Sequence, residues 1–355
     1  MECLFCPKDV DGSNEHVILN AIGGRKSSRL LTCTVCNNDF GGSIDKEFLA
    51  AIDFMTLIIA PPTRRRSNAS TKRILDANGT KYDMIAGGRM RIRYEQLATN
   101  QWIADATQSD VVSANVHRAA AALEARTGTS VTVTTTTGAQ MPAPITFGVQ
   151  LDNFKALREM LKWVLNLLGM HVLTTQQLRH GALFAERHFV STGETPPLGG
   201  YLERSLAPHM FDGLEHYVLA VQSPDGSIYW EASAYGGAIA MAGRTEKIEA
   251  RFQPIMYRVD PVTGEHGTEE PVIIAPEDRC WWVPDYQEIC RRRTIIAGKR
   301  MEQLMNGRIA IDDIVTDCMN QFWPKEGAIT EEHNRALARC VAERYVALNA
   351  KEAII

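Results

Sequence analysis

The chain has 355 residues, enough for about two domains of ordinary size. Hydrophobic residues make up 45% and charged residues 23%, a globular composition that excludes a wholly disordered chain. The formal net charge of −4 excludes a uniformly basic nucleic-acid coat, so any nucleic acid must be bound by a local basic patch.

The beginning of the sequence does not resemble a secretory leader, because residues 1–6 contain no basic segment and no long apolar core. No run of about 18 uncharged apolar residues follows, so no membrane span is predicted. We therefore expect a cytoplasmic protein with no membrane partner. In that compartment the eight cysteines should be thiols or metal ligands rather than disulfides.

Two Cys-x-x-Cys pairs stand out near the start, formed by Cys3, Cys6, Cys33 and Cys36. This double spacing is typical of a tetrahedral Zn²⁺ site of four thiolates, and the alternative is four unrelated buried thiols. Four thiolates leave no open coordination position, so such a zinc ion is structural. It would stabilise a segment of about 50 residues that is too small for a good core of its own.

The segment between the two pairs is predicted to form a hairpin. Its strands are placed at 17–18 and 30–32, and Gly23 and Gly24 supply the turn. After the second pair, Ser43 is suited to cap a helix over residues 44–52, whose apolar positions have helical spacing.

The order of these features resembles the HNH endonuclease family, which has a ββα-metal core inside a zinc-stapled module. The resemblance covers roughly residues 1–60 and consists of Cys3-x-x-Cys6, Glu15-His16-Val17-Ile18, Gly23-Gly24, Cys33-x-x-Cys36-Asn37 and Ile44-Asp45. It implies a treble-clef-like module that hydrolyses the phosphodiester bonds of DNA.

The resemblance also implies roles for individual residues. Glu15 and Asn37 would hold a catalytic Mg²⁺ or Mn²⁺ ion, for which carboxylate and amide oxygens are suitable ligands. His16 alternates with Glu15 along the strand and would be the general base, with an ordinary pKa of about 6.5 that suits this role. Asn38 is an alternative to Asn37 as metal ligand.

Two positions depart from the family pattern. Leu19 stands where the family often has proline. The middle asparagine of the family, which orients the histidine, has Ser28 as its nearest match, and a serine can still bond the loop backbone.

Other functions stay open at this point. An isolated Glu-His pair is usually a solvated surface pair, and a zinc module can be a non-catalytic adaptor for nucleic acid or protein. A nuclease that acts on RNA is a third possibility, because the site grips a phosphate and not the sugar.

A basic cluster follows the module, after two prolines that end the predicted helix. It is either a set of phosphate contacts for nucleic-acid binding or a solvated linker. Its members are Arg64, Arg65, Arg66, Lys72 and Arg73.

The rest of the chain predicts a mixed α+β domain with an antiparallel sheet. Helices are predicted at 110–126, 153–170 and 176–190 and from 286 to the end. His171, His180 and His188 lack a metal-binding spacing and are taken as structural. Strands are predicted at 81–85, 89–94, 130–137, 217–222, 227–234, 238–242 and 251–259.

We therefore expect a nuclease module at 1–60, a basic linker at 61–76 and an α+β targeting or regulatory domain at 77–355, with a break near 138–150. The architecture implies a bacterial restriction or antiviral role, an inference from analogy alone. DNA is the expected partner, and a homo-oligomer or a partner protein would activate the nuclease.

Overall fold

The structure is a computed structural model with an α+β fold and antiparallel sheets, as the sequence predicts. It forms two compact units, Met1–Ala297 and Gly298–Ile355. The residues it describes are 2–59, 71–75, 78–85, 90–92, 95–98, 101–103, 109–130, 132, 152–173, 183–194, 199–200, 205–207, 210, 213–271, 295–296, 298–304, 314–315, 317–319, 321–322 and 330–352.

The N-terminal hairpin lies earlier in the chain than the sequence predicts. Strand β1 (Glu15–His16) pairs antiparallel with β2 (Ser27–Ser28), which confirms a hairpin with Glu15 and His16 on one strand. The strand positions predicted at 17–18 and 30–32 are wrong. Residues 17–19 are buried and lead into a short 3-10 helix, Asn20–Ile22. A Cβ on Gly24 would lie 1.8 Å from the carbonyl oxygen of Ile18, so only glycine lets the returning chain pass this close.

Two helices follow the hairpin. Helix α1 (Thr34–Gly42) begins inside the second Cys-x-x-Cys pair, and the sequence did not predict it. Helix α2 (Ile44–Ile59) confirms the predicted helix at 44–52 and continues beyond it. Its buried positions include Ile44, Phe48 and Ile52, which recur every four residues and so lie on one face.

Short strands and one helix come next. Strands β3 (Lys72–Leu75), β4 (Lys81–Met84) and β5 (Met90–Ile92) form an antiparallel sheet, and β6 (Glu95–Ala98) pairs with β7 (Gln101–Ile103). Helix α3 spans Ser109–Thr127. These elements agree with the strands predicted at 81–85 and 89–94 and with the helix predicted at 110–126.

The main sheet has six strands in the order β13-β12-β9-β10-β11-β8. Strand β10 is buried along its whole length, so both faces of the sheet are covered there. The sheet confirms the antiparallel strands predicted between 217 and 259. Its strands are β8 (Gly199–Gly200), β9 (His216–Gln222), β10 (Ser227–Ala234), β11 (Ile239–Lys247), β12 (Ile255–Val259) and β13 (His266–Glu269).

Helix α4 (Asn153–His171) is the central helix of the first unit and confirms the helix predicted at 153–170. The Asp152 side chain caps it by accepting hydrogen bonds from the amides of Phe154 and Lys155. The helix packs against α2, β1, β9, β10 and β11 and against α5 (Phe184–Thr192). An α4 residue can therefore contact the N-terminal module.

The N-terminal module is bonded to the rest of the first unit by polar contacts. The Tyr257 hydroxyl on β12 accepts hydrogen bonds from the backbone amides of Arg25 and Lys26, both at 3.0 Å. On the other side, Arg187 of α5 donates to the carbonyl oxygen of Leu4. The segment that carries the four N-terminal cysteines is thus packed into a larger core.

His216 makes the stability of the first unit depend on pH. Its Nδ1 accepts a hydrogen bond from the Tyr235 amide at 3.1 Å. Burial lowers its pKa to about 3, although the backbone of Ile22 and the carboxylate of Asp260 oppose this. The unfolded chain binds this proton more readily than the folded chain does. The free energy of unfolding is therefore unaffected by the protonation of His216 above about pH 6.5, and it falls by about 1.4 kcal/mol per pH unit as the pH drops toward 3.

Urea unfolding of the native protein and of His216→Gln at pH 7.5 and 5.5 measures this dependence. We expect the native protein to lose more free energy of unfolding over this interval than the variant. Subtracting the variant removes contributions from other groups, including any zinc thiolates. Equal losses in the two proteins would contradict a neutral buried His216.

The second unit is helical in its described part and contains α6 (Glu331–Glu352), as predicted for the end of the chain. Cys318 and Cys340 form a disulfide bond within it, so the expectation that all eight cysteines are thiols or metal ligands is wrong for this pair. Their separation of 22 residues does not by itself predict a disulfide bond, because such a bond depends on how close the two cysteines lie in the fold.

Some predictions fall outside the described residues. Arg64, Arg65 and Arg66 lie there, as do the segment 138–150 and most of the strand at 130–137. For the helix predicted at 176–190, only the part from 183 onward is described, and it lies in α5. Among the described helices, none has the length and apolar character needed to cross a membrane.

Candidate metal centre and active site

The four cysteines of the two Cys-x-x-Cys pairs converge on one point. The sulfur atoms of Cys3, Cys6, Cys33 and Cys36 all lie within 4.8 Å of one another. The first pair lies in a tight turn in which the Cys3 amide donates to the carbonyl oxygen of Lys8 at 2.7 Å. The second pair lies at the start of α1, with Cys33 at the N-cap position.

This donor set fits a structural Zn²⁺ ion, for which four sulfurs in tetrahedral arrangement are the common ligands. A hydrogen bond with Cys36 lowers the pKa of Cys3 to about 5, against the opposing effect of burial. The same hydrogen bond raises the pKa of Cys36, and burial raises that of Cys6. Binding of Zn²⁺ requires the ligating sulfurs to lose their protons. Phe5 and Phe40 pack edge to face beside the cluster, with ring centroids 4.8 Å apart.

Strand β1 presents Glu15 and His16 to different environments. Glu15 is 2% exposed, whereas His16 is half-buried. Burial lowers the pKa of His16, and the nearby charges of Lys162 and Arg25 lower it further. The imidazole is therefore neutral at pH 7, the form that can accept a proton.

Glu15 belongs to a buried charged cluster centred on Lys162 of α4. The Lys162 ammonium is fully buried and contacts Asp45 of α2, Glu15 Oε1 at 3.4 Å and Glu159 Oε1 at 3.7 Å. Burial alone would lower the pKa of Lys162, but Glu159, Glu15 and Asp45 outweigh it and the pKa is raised. Burial raises the pKa of Glu159 well above its ordinary range and also raises that of Glu15, while the charge of Lys162 opposes both shifts.

Asn166 joins this cluster to the strand. Its Nδ2 donates to Glu15 Oε1 at 3.2 Å and to the backbone carbonyl oxygen of His16 at 2.9 Å. The other oxygen of Glu15, Oε2, is buried without a hydrogen-bond partner. Because a buried carboxylate oxygen usually has a partner, Oε2 fits the part of a ligand for a divalent cation.

Asn37 lies against the start of the same strand. Its Nδ2 donates to Ser13 Oγ at 2.7 Å and to the carbonyl oxygen of Asn14 at 3.4 Å. Both contacts use the amide nitrogen, so the amide oxygen is the atom that Asn37 offers to a metal ion. Asn38 is exposed on the same helix. Of the two, Asn37 is the one with hydrogen bonds to residues 13–14, next to β1.

Ser28 lies directly opposite Glu15 in the hairpin. Its hydroxyl accepts a hydrogen bond from the Leu30 amide at 3.1 Å, so it bonds the backbone of the following loop. The contact to the His16 backbone comes instead from Asn166.

Two members of the basic cluster are described, and both lie on β3. Lys72 forms an ion pair with Asp53 at 3.6 Å, and Arg73 is exposed. The Lys72–Asp53 pair offsets part of the positive charge available to a phosphate.

Sequence reasoning missed the contribution of α4 to the site. Glu159, Lys162 and Asn166 recur at spacings of three and four, so they share one face of the helix. All three are buried. A polar face on a helix that is expected to be buried is the signal that was available, since buried charges need partners.

The N-terminal module thus combines four clustered thiols that could hold Zn²⁺, a hairpin strand with Glu15 and His16, and a helix with Asn37. Residues 3–52 match the family model of the HNH endonucleases, which confirms the resemblance for this part of the chain. No curated protein and no solved structure matches the chain. The family match indicates a nuclease in general and a nucleic acid as substrate.

Proposed function

We propose that the chain is a metal-dependent endonuclease that hydrolyses DNA phosphodiester bonds. The observation that carries this proposal is the setting of β1. Glu15 has one anchored oxygen and one buried oxygen without a partner, beside a neutral His16 and within a segment that matches the HNH endonucleases.

In this proposal His16 takes a proton from the attacking water. The water oxygen then forms a bond to phosphorus while the bond from phosphorus to the 3′-oxygen breaks. Glu15 and Asn37 would hold Mg²⁺ or Mn²⁺, which as a Lewis acid supplies charge neutralisation at the phosphoryl and leaving oxygens. The four cysteines would hold Zn²⁺ and keep α1 beside the hairpin.

The larger part of the chain would select the target or control activation. A cytoplasmic location, a role in bacterial defence and activation through a homo-oligomer or partner protein belong to the proposal on the strength of the sequence alone. The division at 1–60, 61–76 and 77–355 and the phosphate contacts of the basic cluster are also proposals. The alternatives are an RNA-directed nuclease and a non-catalytic zinc adaptor.

Binding of a second metal separates the nuclease from the adaptor. We expect the zinc-loaded protein to bind one Mn²⁺ ion, measured by the loss of the electron paramagnetic resonance signal of free Mn²⁺. Glu15→Gln should weaken this binding at least about tenfold, because it removes a charged oxygen ligand but keeps the side-chain shape. Lys162 retains Asp45 and Glu159 as partners in this variant.

The matched control is Glu47→Gln on α2. Glu47 is exposed and pairs with Lys155 at 3.1 Å, away from the buried cluster. If the native protein binds no Mn²⁺ beyond its zinc, or if Glu15→Gln binds it as the native protein does, the proposed role of Glu15 fails. If Mn²⁺ binding supports the nuclease, parallel cleavage assays with plasmid DNA and with single-stranded RNA show which nucleic acid is the substrate.

A further inference from the structure

Helix α4 contacts the proposed catalytic strand β1, although the two elements lie more than 100 residues apart in the sequence. The contacts of Asn166 have sequence separations of 151 and 150 residues. They are made inside the core, where Asn166, Lys162 and Glu159 have no exposed surface and Glu15 has almost none. A hydrogen bond in such a place fixes its partners firmly, because water cannot replace it.

Asn166 bonds to both residues of the Glu15–His16 pair at once. One amide nitrogen donates to the Glu15 carboxylate and to the His16 carbonyl oxygen, at 3.2 and 2.9 Å. The first bond fixes the rotation of the Glu15 side chain, and the second fixes the backbone that carries the imidazole. Hairpin pairing alone is weak here, since β1 and β2 have only two residues each.

The same bond determines which oxygen of Glu15 is left over. Asn166 and Lys162 both contact Oε1, while Oε2 stays buried without a hydrogen-bond partner. Two different groups on α4 thus anchor one oxygen and leave the other free of hydrogen bonds to the protein. Groups that bond the second oxygen of a ligating carboxylate are known to tune metal sites.

We propose that Asn166 is a positioning residue of the nuclease site, which orients Glu15 for metal binding and holds the His16 backbone from outside the N-terminal module. This inference rests on the proposed function. It gives Asn166 the histidine-orienting task for which Ser28 was the nearest sequence match, while Ser28 bonds Leu30. The N-terminal module is then incomplete without α4.

The test compares three zinc-loaded proteins: native, Asn166→Leu and Arg158→Gln. Asn166→Leu keeps a similar side-chain volume and removes both donated bonds. Arg158 lies on the same helix and donates to the carbonyl oxygens of Val190 and Ser191 near the end of α5. Arg158→Gln is therefore a control for general weakening of α4 packing. Mn²⁺ affinity, melting temperature and plasmid cleavage are measured for each protein.

We expect Asn166→Leu to raise the dissociation constant for Mn²⁺ by about 10- to 100-fold. Arg158→Gln should leave it unchanged even where its melting temperature falls as far. If Asn166→Leu does not fold, Asn166→Ala adds no atoms to the core and is measured instead. Native-like Mn²⁺ affinity in the Asn166 variant, or an equal loss in Arg158→Gln, would overturn the positioning role alone. Absence of Mn²⁺ binding in the native protein would overturn the proposed function and this role with it.

Discussion

His16→Ala should reduce plasmid cleavage by about 10²- to 10⁴-fold, the range expected when a general base is lost. The reason is local. His16 is half-buried on a two-residue strand, and burial together with Lys162 and Arg25 lowers its pKa, so the imidazole is unprotonated at pH 7. Cleavage is measured with Mg²⁺ or Mn²⁺ over a wide range of protein concentrations. Zinc content and Mn²⁺ affinity should stay at native values, because alanine leaves the Glu15 side chain in place.

His188→Ala is the matched control. His188 lies on α5, where it stacks on Phe184 with ring centroids 5.9 Å apart. The His188→Ala variant should cleave plasmid DNA like the native protein. If native protein and His16→Ala cut equally well, the base is a different group. If neither the native protein nor His16→Ala cuts, the nuclease awaits an activator or the module is an adaptor. Comparing the Mn²⁺ affinity of Glu15→Gln with that of the native protein distinguishes these two cases.

Local spacing was enough to predict the clustering of the four N-terminal cysteines and the main elements. Each Cys-x-x-Cys pair is short enough to form one turn. A single reversal of the chain between the pairs is then enough to bring the four sulfur atoms together. Helix α4 and the strands of the main sheet follow from apolar periodicity over many residues. In each case the information lies within one continuous stretch of chain.

The exact position of the hairpin could not be predicted in the same way. Val17 and Ile18 have the composition of a strand, but they are buried beside the 3-10 helix, and the two-residue pairing involves polar Glu15 and Ser28. Packing against α4 and Tyr257 decides this register, and such tertiary contacts override local strand propensity.

The partners of Glu15 were also beyond local reasoning. Lys162 and Asn166 contact it across about 150 positions, and no sequence spacing encodes such a contact. The Cys318–Cys340 bond is a smaller case of the same kind. The sequence therefore predicted the cysteine cluster and a strand with Glu15 and His16, but not the α4 residues that contact Glu15.

Loss of the zinc site should unfold the N-terminal module, because structural zinc in small modules contributes on the order of 10 kcal/mol. Cys36→Ser removes a ligand from the first turn of α1, which also carries Asn37. We expect zinc content, measured by mass spectrometry, to fall from one ion per chain to near zero. Limited proteolysis should then cut within residues 1–59, and Mn²⁺ binding should be lost together with cleavage.

Cys318→Ser is the matched control, since it removes a cysteine of the second unit and none of the four clustered thiols. It should keep one zinc ion and a protease-resistant N-terminal module. A native chain without zinc, or a Cys36→Ser chain that retains it, would contradict the four-thiolate site. A Cys36→Ser chain could also lose its zinc and keep a folded N-terminal module, because α4, α5 and Tyr257 contact this module from the larger core. That core, and not the metal, would then be what holds Glu15 and His16 in place.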